Sequence, residues 1–254
     1  MSPAQPPAPG VGERALAGLQ CLLLDSDRLE PFLGDLVRLA ADLLPGSPHC
    51  SITLCRQGRP RPAAASDEMV TRFDDEQYDV GDGPCLEALR TGEPHLVRDI
   101  GDEHRFGTFP SRAEAHGLRS VLSLPLIPPG RPAIGVMNLY ATEADGSLDQ
   151  VRDQATVFAG YAAGALGVAQ KIADRTRLSE DLQCALASRT VIDQALGIIM
   201  GQQRCSAEHA FQLLSRASQN RNRKLREVAT DIITKVTGEP PGPPTPLTSR
   251  SPEH

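Results

Sequence analysis

The side chains best suited to binding chemistry are grouped between residues 219 and 226. Amides can read nucleobase edges because each one donates and accepts hydrogen bonds, and cations can hold phosphates or stack on unpaired bases. The group contains Gln219, Asn220, Arg221, Asn222, Arg223, Lys224 and Arg226, with Arg189 and Arg204 as secondary candidates. This composition is typical of a nucleic-acid contact, and a solvated turn between helices would share it.

The charge of the chain is distributed unevenly. The formal net charge is −6, but residues 171–237 hold eleven Lys and Arg against seven Asp and Glu, which gives +4 there and −10 in the remainder. A basic segment attached to an acidic one suits a regulator whose output end meets a polyanion. A solvated helical surface would carry the same charges, so charge alone does not decide.

No arrangement of residues predicts catalysis, a cofactor or a metal. His104 and His116 share an acidic loop, but their spacing matches no metal motif, and no phosphate-binding glycine loop is present. The six cysteines form no CxxC pair, which favours free thiols in a reducing cytoplasm. Cys85 follows Gly83-Pro84 at the expected start of a helix, where a thiolate would be stabilised. It is either a redox-active thiol or a small thiol packed beside other residues.

Three helices are expected to position the basic group. In the first, apolar residues recur at alternating steps of four and three, which predicts an amphipathic helix with a coiled-coil-like seam. This seam contains Leu178, Leu182, Ala185, Ile192, Leu196 and Ile199. Ser206 is expected to cap the second helix, whose apolar face is Ala210, Phe211, Leu213, Leu214 and Ala217. Asn222 is expected to cap the third, which carries Leu225, Val228, Ala229, Ile232, Ile233 and Val236.

These three helices resemble an ANTAR domain. The similarity covers the runs 188–200, 206–219 and 222–229, in order, spacing and residue type. ANTAR domains bind RNA in bacterial transcription antitermination, where they engage paired hairpins of leader transcripts and prevent terminator formation. The resemblance therefore implies RNA hairpin loops as the partner, a link to the transcription machinery, and a homodimer that places two basic turns side by side.

The residues before this segment resemble a GAF domain. Helices are expected at 14–24 and 28–44, a hairpin at 49–66, a helix that begins at Pro84 and ends before Gly92, and strands at 95–98, 118–127 and 133–140, with 101–115 as an irregular loop. The similarity rests on Gly83-Pro84-Cys85, Thr91-Gly92-Glu93-Pro94, the run 117–121, Leu124-Pro125-Leu126 and the run 134–140. GAF domains are sensor and dimerisation modules. The implied sensor-pocket candidates are Tyr78, Cys85 and Phe106, with an unknown small-molecule effector.

The predicted fold class is α+β, a GAF-like antiparallel sheet with flanking helices, followed by a long helix and a C-terminal three-helix bundle. We expect a disordered leader at 1–12, a sensor domain at 13–168, a helical linker at 169–177, an RNA-binding domain at 178–237 and a disordered proline-rich tail at 238–254. The whole resembles actinobacterial GAF and ANTAR antitermination regulators, which implies a cytoplasmic protein without a membrane span. The alternatives are a DNA-binding regulator with a GAF sensor domain and, ranked last, a signalling enzyme.

Overall fold

The computed structural model describes residues 10–46, 48–143 and 146–242. Contacts within the chain divide it into two compact units, Met1–Asp174 and Arg175–His254. Most of the expected disordered leader and tail therefore lie outside the described residues. The first described helix begins at Val11, inside the range expected for the leader.

The first unit contains a five-stranded sheet in which every neighbouring pair is antiparallel. Its strands in chain order are β1 His49–Arg56, β2 Arg59–Ala65, β3 His95–Val97, β4 Ser120–Leu126 and β5 Gly135–Ala141. Their spatial order is β2-β1-β5-β4-β3. The predicted hairpin at 49–66 is formed by β1 and β2, which are separated by only two residues, and β2 includes Pro60 and Pro62. Proline is tolerated there because β2 is an edge strand.

Alternation along the strands gives the sheet two different faces. On β1, Cys50, Ile52 and Leu54 belong to a large apolar core. Ser51 and Thr53 are also fully buried, and they point to the opposite face because successive side chains alternate. A sheet covered on both faces has little room for exposed residues, and β4 and β5 are buried along almost their whole length.

Helices cover both faces of this sheet. The unit contains α1 Val11–Asp25, α2 Leu29–Leu43, α3 Glu68–Val80, α4 Pro84–Thr91, α5 Phe109–Ala115 and a short 3-10 turn Ile100–Asp102. The apolar core joins α1, α2 and the first part of the long helix α6, Ser147–Gln203, to the face of Ile52. A second cluster joins α3 and α5 to the face of Tyr140. The expectation of an irregular loop at 101–115 is wrong for α5, because a seven-residue helix carries too little periodic signal.

The second unit is built from the end of α6 together with α7 Ala207–Arg221 and α8 Leu225–Thr237. These three helices share one core, and Ser206 caps α7 as expected by accepting a hydrogen bond from the backbone of His209 at 3.3 Å. The buried members of the core are Val191, Ala195, Ile199, Ala210, Leu214, Val228, Ala229 and Ile233. The predicted fold class is therefore confirmed, with an antiparallel sheet and flanking helices followed by a long helix and further helices.

The predicted helix faces agree only in part with the packing within one chain. The buried row of α6 contains Val191, Ala195 and Ile199. The side chains of Leu178 and Leu182 are instead 60% and 57% exposed. Ile192 and Leu196 pack beside that row and are only partly buried. Spacing alone cannot tell which of two adjacent rows of a helix faces its neighbours. Phe211 and Val236, expected on apolar faces, are exposed as well.

Candidate functional sites

The turn between α7 and α8 is held in one conformation by its own backbone. Asn222 has a left-handed φ of 49° and ends α7, so the prediction that it caps α8 is wrong. Asparagine is one of the few residues that adopt this conformation readily. The amide of Arg223 donates to the carbonyl of Ser218 at 3.1 Å, and the Ser218 hydroxyl donates to the carbonyl of Arg223 at 2.6 Å. Side chains of the turn are therefore presented from a defined framework.

Two cations of the predicted group contact other residues of the same unit. Arg223 forms ion pairs with Glu227 at 3.2 Å and with Asp231 at 2.5 Å, and these carboxylates raise the pKa of Arg223. Arg226 donates to the Ser188 hydroxyl of α6 at 3.5 Å. Both contacts fix the start of α8, so these two cations have a structural part in the turn.

The remaining residues of the turn point into solvent. Gln219, Asn220, Arg221 and Lys224 are exposed. Among residues 10–46, 48–143 and 146–242, neither Arg221 nor Lys224 has an ion-pair partner. The turn thus presents two cations and two amides that no neighbouring group occupies, which is the arrangement needed to hold phosphates and base edges.

The secondary candidates lie at different distances from the turn. Arg189 is the neighbour in α6 of Ser188, the residue that Arg226 of α8 contacts. Its guanidinium lies 3.8 Å from the Asp193 carboxylate, and both groups are exposed. Arg204 precedes α7, whose 15 residues separate it from the turn by about 22 Å at 1.5 Å per residue.

In the first unit, a buried polar cluster lies between α3 and the sheet. Asp74 of α3 accepts hydrogen bonds from the Tyr140 hydroxyl and from the Asn138 amide, the latter at 3.3 Å. The Asn138 amide also reaches the Ser51 hydroxyl at 3.2 Å. Gln77 donates to the Tyr140 hydroxyl at 3.1 Å and accepts from the backbone amide of Cys85 at 2.8 Å. The cluster thus joins the strands β1 and β5 to the helices α3 and α4.

Asp74 is a carboxyl group that is buried among neutral partners. Burial raises the pKa of Asp74 to about 6, while hydrogen bonds from Tyr140 and Ser51 lower it. No cationic side chain belongs to the hydrogen-bonded partners that the structure describes for it. The carboxyl group is therefore poised to change its charge near neutral pH.

The predicted sensor residues are only partly brought together. The Tyr78 hydroxyl and the Cys85 thiol both contact the Thr53 hydroxyl, at 2.6 and 3.4 Å. Phe106 lies instead in the apolar cluster that packs on Tyr140. Burial raises the pKa of Cys85 to about 12, so its thiol is neutral, in keeping with a packed rather than an activated cysteine.

Sequence reasoning missed the centre of this cluster, which is Asp74, Gln77 and Asn138. The available signal was a polar residue at an inward position of an otherwise apolar strand, as at Thr53 and Asn138. Within the described part of the chain, no group of three His, Cys, Asp or Glu could hold a metal ion. No helix among the described residues is long and apolar enough to cross a bilayer.

Comparison with known families agrees with the two resemblances in the sequence. The model of the GAF domain matches residues 27–167, which is more than half of the 254 residues. The model of the ANTAR domain matches residues 180–233. No curated protein matches the chain.

Several solved structures are similar to part of the chain. The GAF domain of an Acinetobacter phosphoenolpyruvate-protein phosphotransferase is 14% identical, with a TM-score of 0.48 over 66% of this chain and 99% of that one. The A. aeolicus nlh2 GAF domain in an inactive state is 13% identical, with a TM-score of 0.47 over 62% and 96%. The free methionine-R-sulfoxide reductase of Neisseria meningitidis, in complex with its substrate, is 15% identical, with a TM-score of 0.44 over 66% and 91%.

A GAF domain is a sensor domain and an ANTAR domain is an RNA-binding antitermination domain, and both are regulatory. A single chain that carries both is a regulator with a sensor. The chain belongs to the GAF domain family, and its residues 180–233 match the ANTAR domain.

Proposed function

We propose that this protein is a signal-responsive RNA-binding regulator that acts by antitermination on leader RNA hairpins in the cytoplasm. The observation that carries the proposal is the turn between α7 and α8, where Arg221 and Lys224 are exposed beside the amides of Gln219 and Asn220. A cation that has no carboxylate partner can bind a phosphate at little cost in free energy, because no ion pair within the protein has to be broken first. The turn lies within the segment that matches the ANTAR domain.

Sensing is assigned to residues 13–168 and RNA binding to residues 178–237, with 169–177 as a helical linker. We place the effector, a small molecule of unknown identity, near Tyr78 and Cys85, since both contact Thr53 at the edge of the buried polar cluster. Tyr78 is only partly buried and so offers a route from solvent to the cluster. An effector shifts the regulator only by binding two states of the protein with different affinities.

The active form is proposed to be a homodimer. Leu178, Leu182 and Leu186 form a stripe on α6 with exposures of 60%, 57% and 60%. Large apolar side chains in such a row mark an association surface. Two copies paired along this row would carry two basic turns, and two weak RNA contacts that are linked gain affinity from their effective concentration.

Two other functions remain as alternatives. A DNA-binding regulator would use the same basic turn on duplex phosphates, and an enzyme would need a reactive group that the sites above do not offer. The buried Cys85, with its raised pKa, is a poor nucleophile. The RNA-binding regulator is therefore preferred.

The test compares binding of the full chain to hairpin RNA and to duplex DNA of equal charge, over a range of salt concentrations. Replacing Arg221 or Lys224 with Ala should reduce the salt slope for RNA by roughly 0.7 for each lost phosphate contact. Arg223→Ala should act mainly by destabilising the turn, and Arg152→Ala on the exposed surface of α6 is the control. Preference for duplex DNA, or unchanged slopes in both single variants, would refute the proposal.

A further inference from the structure

The second unit contains a cavity of about 320 Å³ between the end of α6, α7 and α8. Its lining residues are Ile199, Gln202, Gln203, Leu213, Leu214, Ala217 and Ile232. Ile199 and Leu214 are buried, Leu213, Ala217 and Ile232 are partly buried, and the two glutamines are exposed. The cavity is therefore an aliphatic slot with two amides at its mouth.

This combination of groups fits a nucleobase. A base has two apolar faces, which pack well between apolar side chains, and a polar edge, which needs donors and acceptors. The amide of a glutamine supplies both, and pairs in a bidentate way with adenine. The exposed amides of Gln202 and Gln203 suit a ligand with a polar edge, and a phosphate would find no cation among the lining residues.

The cavity also lies in register with the basic turn. On α7, Leu214, Ala217 and Arg221 follow one another at steps of three and four, so they share one face of the helix. Leu214 and Ala217 line the cavity, and the exposed Arg221 comes one turn after them. A nucleotide whose base enters the slot would place its phosphate toward this cation, because the two groups of a nucleotide are a few ångströms apart.

We propose that this slot binds one unpaired purine base, preferably adenine, from the loop of an RNA hairpin. The slot holds the faces of the base between Leu213, Ala217 and Ile232, the glutamine amides pair with its edge, and Arg221 holds the adjoining phosphate. The proposal rests on the proposed function, since it assigns a base-reading subsite to the RNA-binding domain. It differs from that function in placing sequence preference in the slot rather than in the amides of the turn.

The experiment uses the full chain and a pool of RNA hairpins with one stem and a randomised loop. Wild-type protein should select loops with an adenine at one fixed position, and 2-aminopurine at that position should change its fluorescence on binding. Ala217→Leu and Ala217→Phe fill the slot and should weaken binding of the selected hairpin on the order of tenfold, because the base can no longer pair with the glutamine amides, while weak binding to the bare stem stays unchanged. Ala207→Leu, at the exposed start of α7, is the matched control.

A second variant guards against a folding defect. Gln202→Ala combined with Gln203→Ala changes only exposed side chains, so the melting temperature should stay constant while the preference for adenine is lost. If wild-type protein binds hairpins and the filled variants bind them equally well, the slot is not the subsite and the proposed function stands. If wild-type protein selects no hairpin, both proposals fail. If filling the slot weakens self-association instead of RNA binding, a second copy is the occupant and this proposal is refuted.

Discussion

At the scale of single residues, the most unusual group is the carboxyl of Asp74. It is 2% exposed and held by Tyr140 and Asn138, which are neutral. Because burial disfavours the charged form, its pKa is raised from 3.8 to about 6. At pH values between these two pKa values, Asp74 is therefore protonated in the folded protein and ionised in the unfolded chain.

This shift predicts a specific dependence of stability on pH. The folded state binds the extra proton between about pH 4 and 6, so the contribution of Asp74 to the free energy of unfolding falls as the pH rises through this window. The loss amounts to about 3 kcal/mol for a shift of about two pKa units. Asp74→Asn should remove this pH dependence, because the amide does not titrate. The free energy of unfolding of the variant should therefore rise relative to that of wild type between pH 4 and pH 7. Denaturant unfolding at several pH values measures this difference.

The exposed Asp42→Asn provides the control, since it makes the same chemical change on the surface of α2. Its stability relative to wild type should not vary across that window. A constant difference between Asp74→Asn and wild type would mean that Asp74 stays ionised in the folded protein.

At the scale of elements, the junction between α3 and α4 decides how the polar cluster is assembled. Gly83 precedes α4 with a φ of 153°, and a Cβ atom there would lie 2.5 Å from Oε1 of Gln77. Gln77 cannot move aside, because its amide is fully buried and bonded both to the Cys85 backbone and to the Tyr140 hydroxyl. Glycine is required at this position by close approach and by backbone conformation together.

Gly83→Ala should therefore lower the free energy of unfolding of the protein by about 3 kcal/mol, from backbone strain and loss of the Gln77 contacts. The measurement is denaturant unfolding followed by circular dichroism. Gly34→Ala is the matched control, because Gly34 lies inside α2 with no atom within 4 Å of an added Cβ. That change should stabilise the helix by about 0.5–1 kcal/mol. Equal effects at the two positions would show that the junction tolerates a side chain.

At the scale of the whole molecule, the exposed row of Leu178, Leu182 and Leu186 bears on assembly. Three leucines at 57–60% exposure leave apolar area in water that a second copy would cover. Two of the three, Leu178 and Leu182, also belong to the seam that the apolar spacing predicts. The proposed dimer therefore depends on a row that contributes nothing to the core of the second unit.

Leu182→Lys should shift the protein from dimer toward monomer, because a charge at the centre of the row is costly to bury. Sedimentation equilibrium at micromolar concentration should then give a mass near the 27.2 kDa of one chain instead of twice that value. Gln183→Lys adds the same charge beside the row and should leave the mass of the dimer unchanged. Identical masses for wild type and Leu182→Lys would contradict pairing along this face.

The sequence by itself determined most local structure and both domain families. Alternation predicted β1, and Pro84 and Gly92 marked the two ends of α4, because proline fits a first helical turn and glycine adopts the left-handed end. The spacing of apolar residues and the cluster of cations indicated three helices and a basic turn. These signals are readable because each depends on neighbours within a few positions along the chain.

Only the tertiary structure decided which side chains meet. Arg223 was one of several equivalent cations until α8 placed Asp231, eight residues away, beside its guanidinium. The burial of Asp74 depends on the packing of α3 against Asn138, which is 64 positions further along the chain. The slot at Ala217 likewise exists only between three packed helices. Burial and pairing over such separations depend on how the helices and strands pack. The pattern of neighbouring residues in the sequence does not specify this packing.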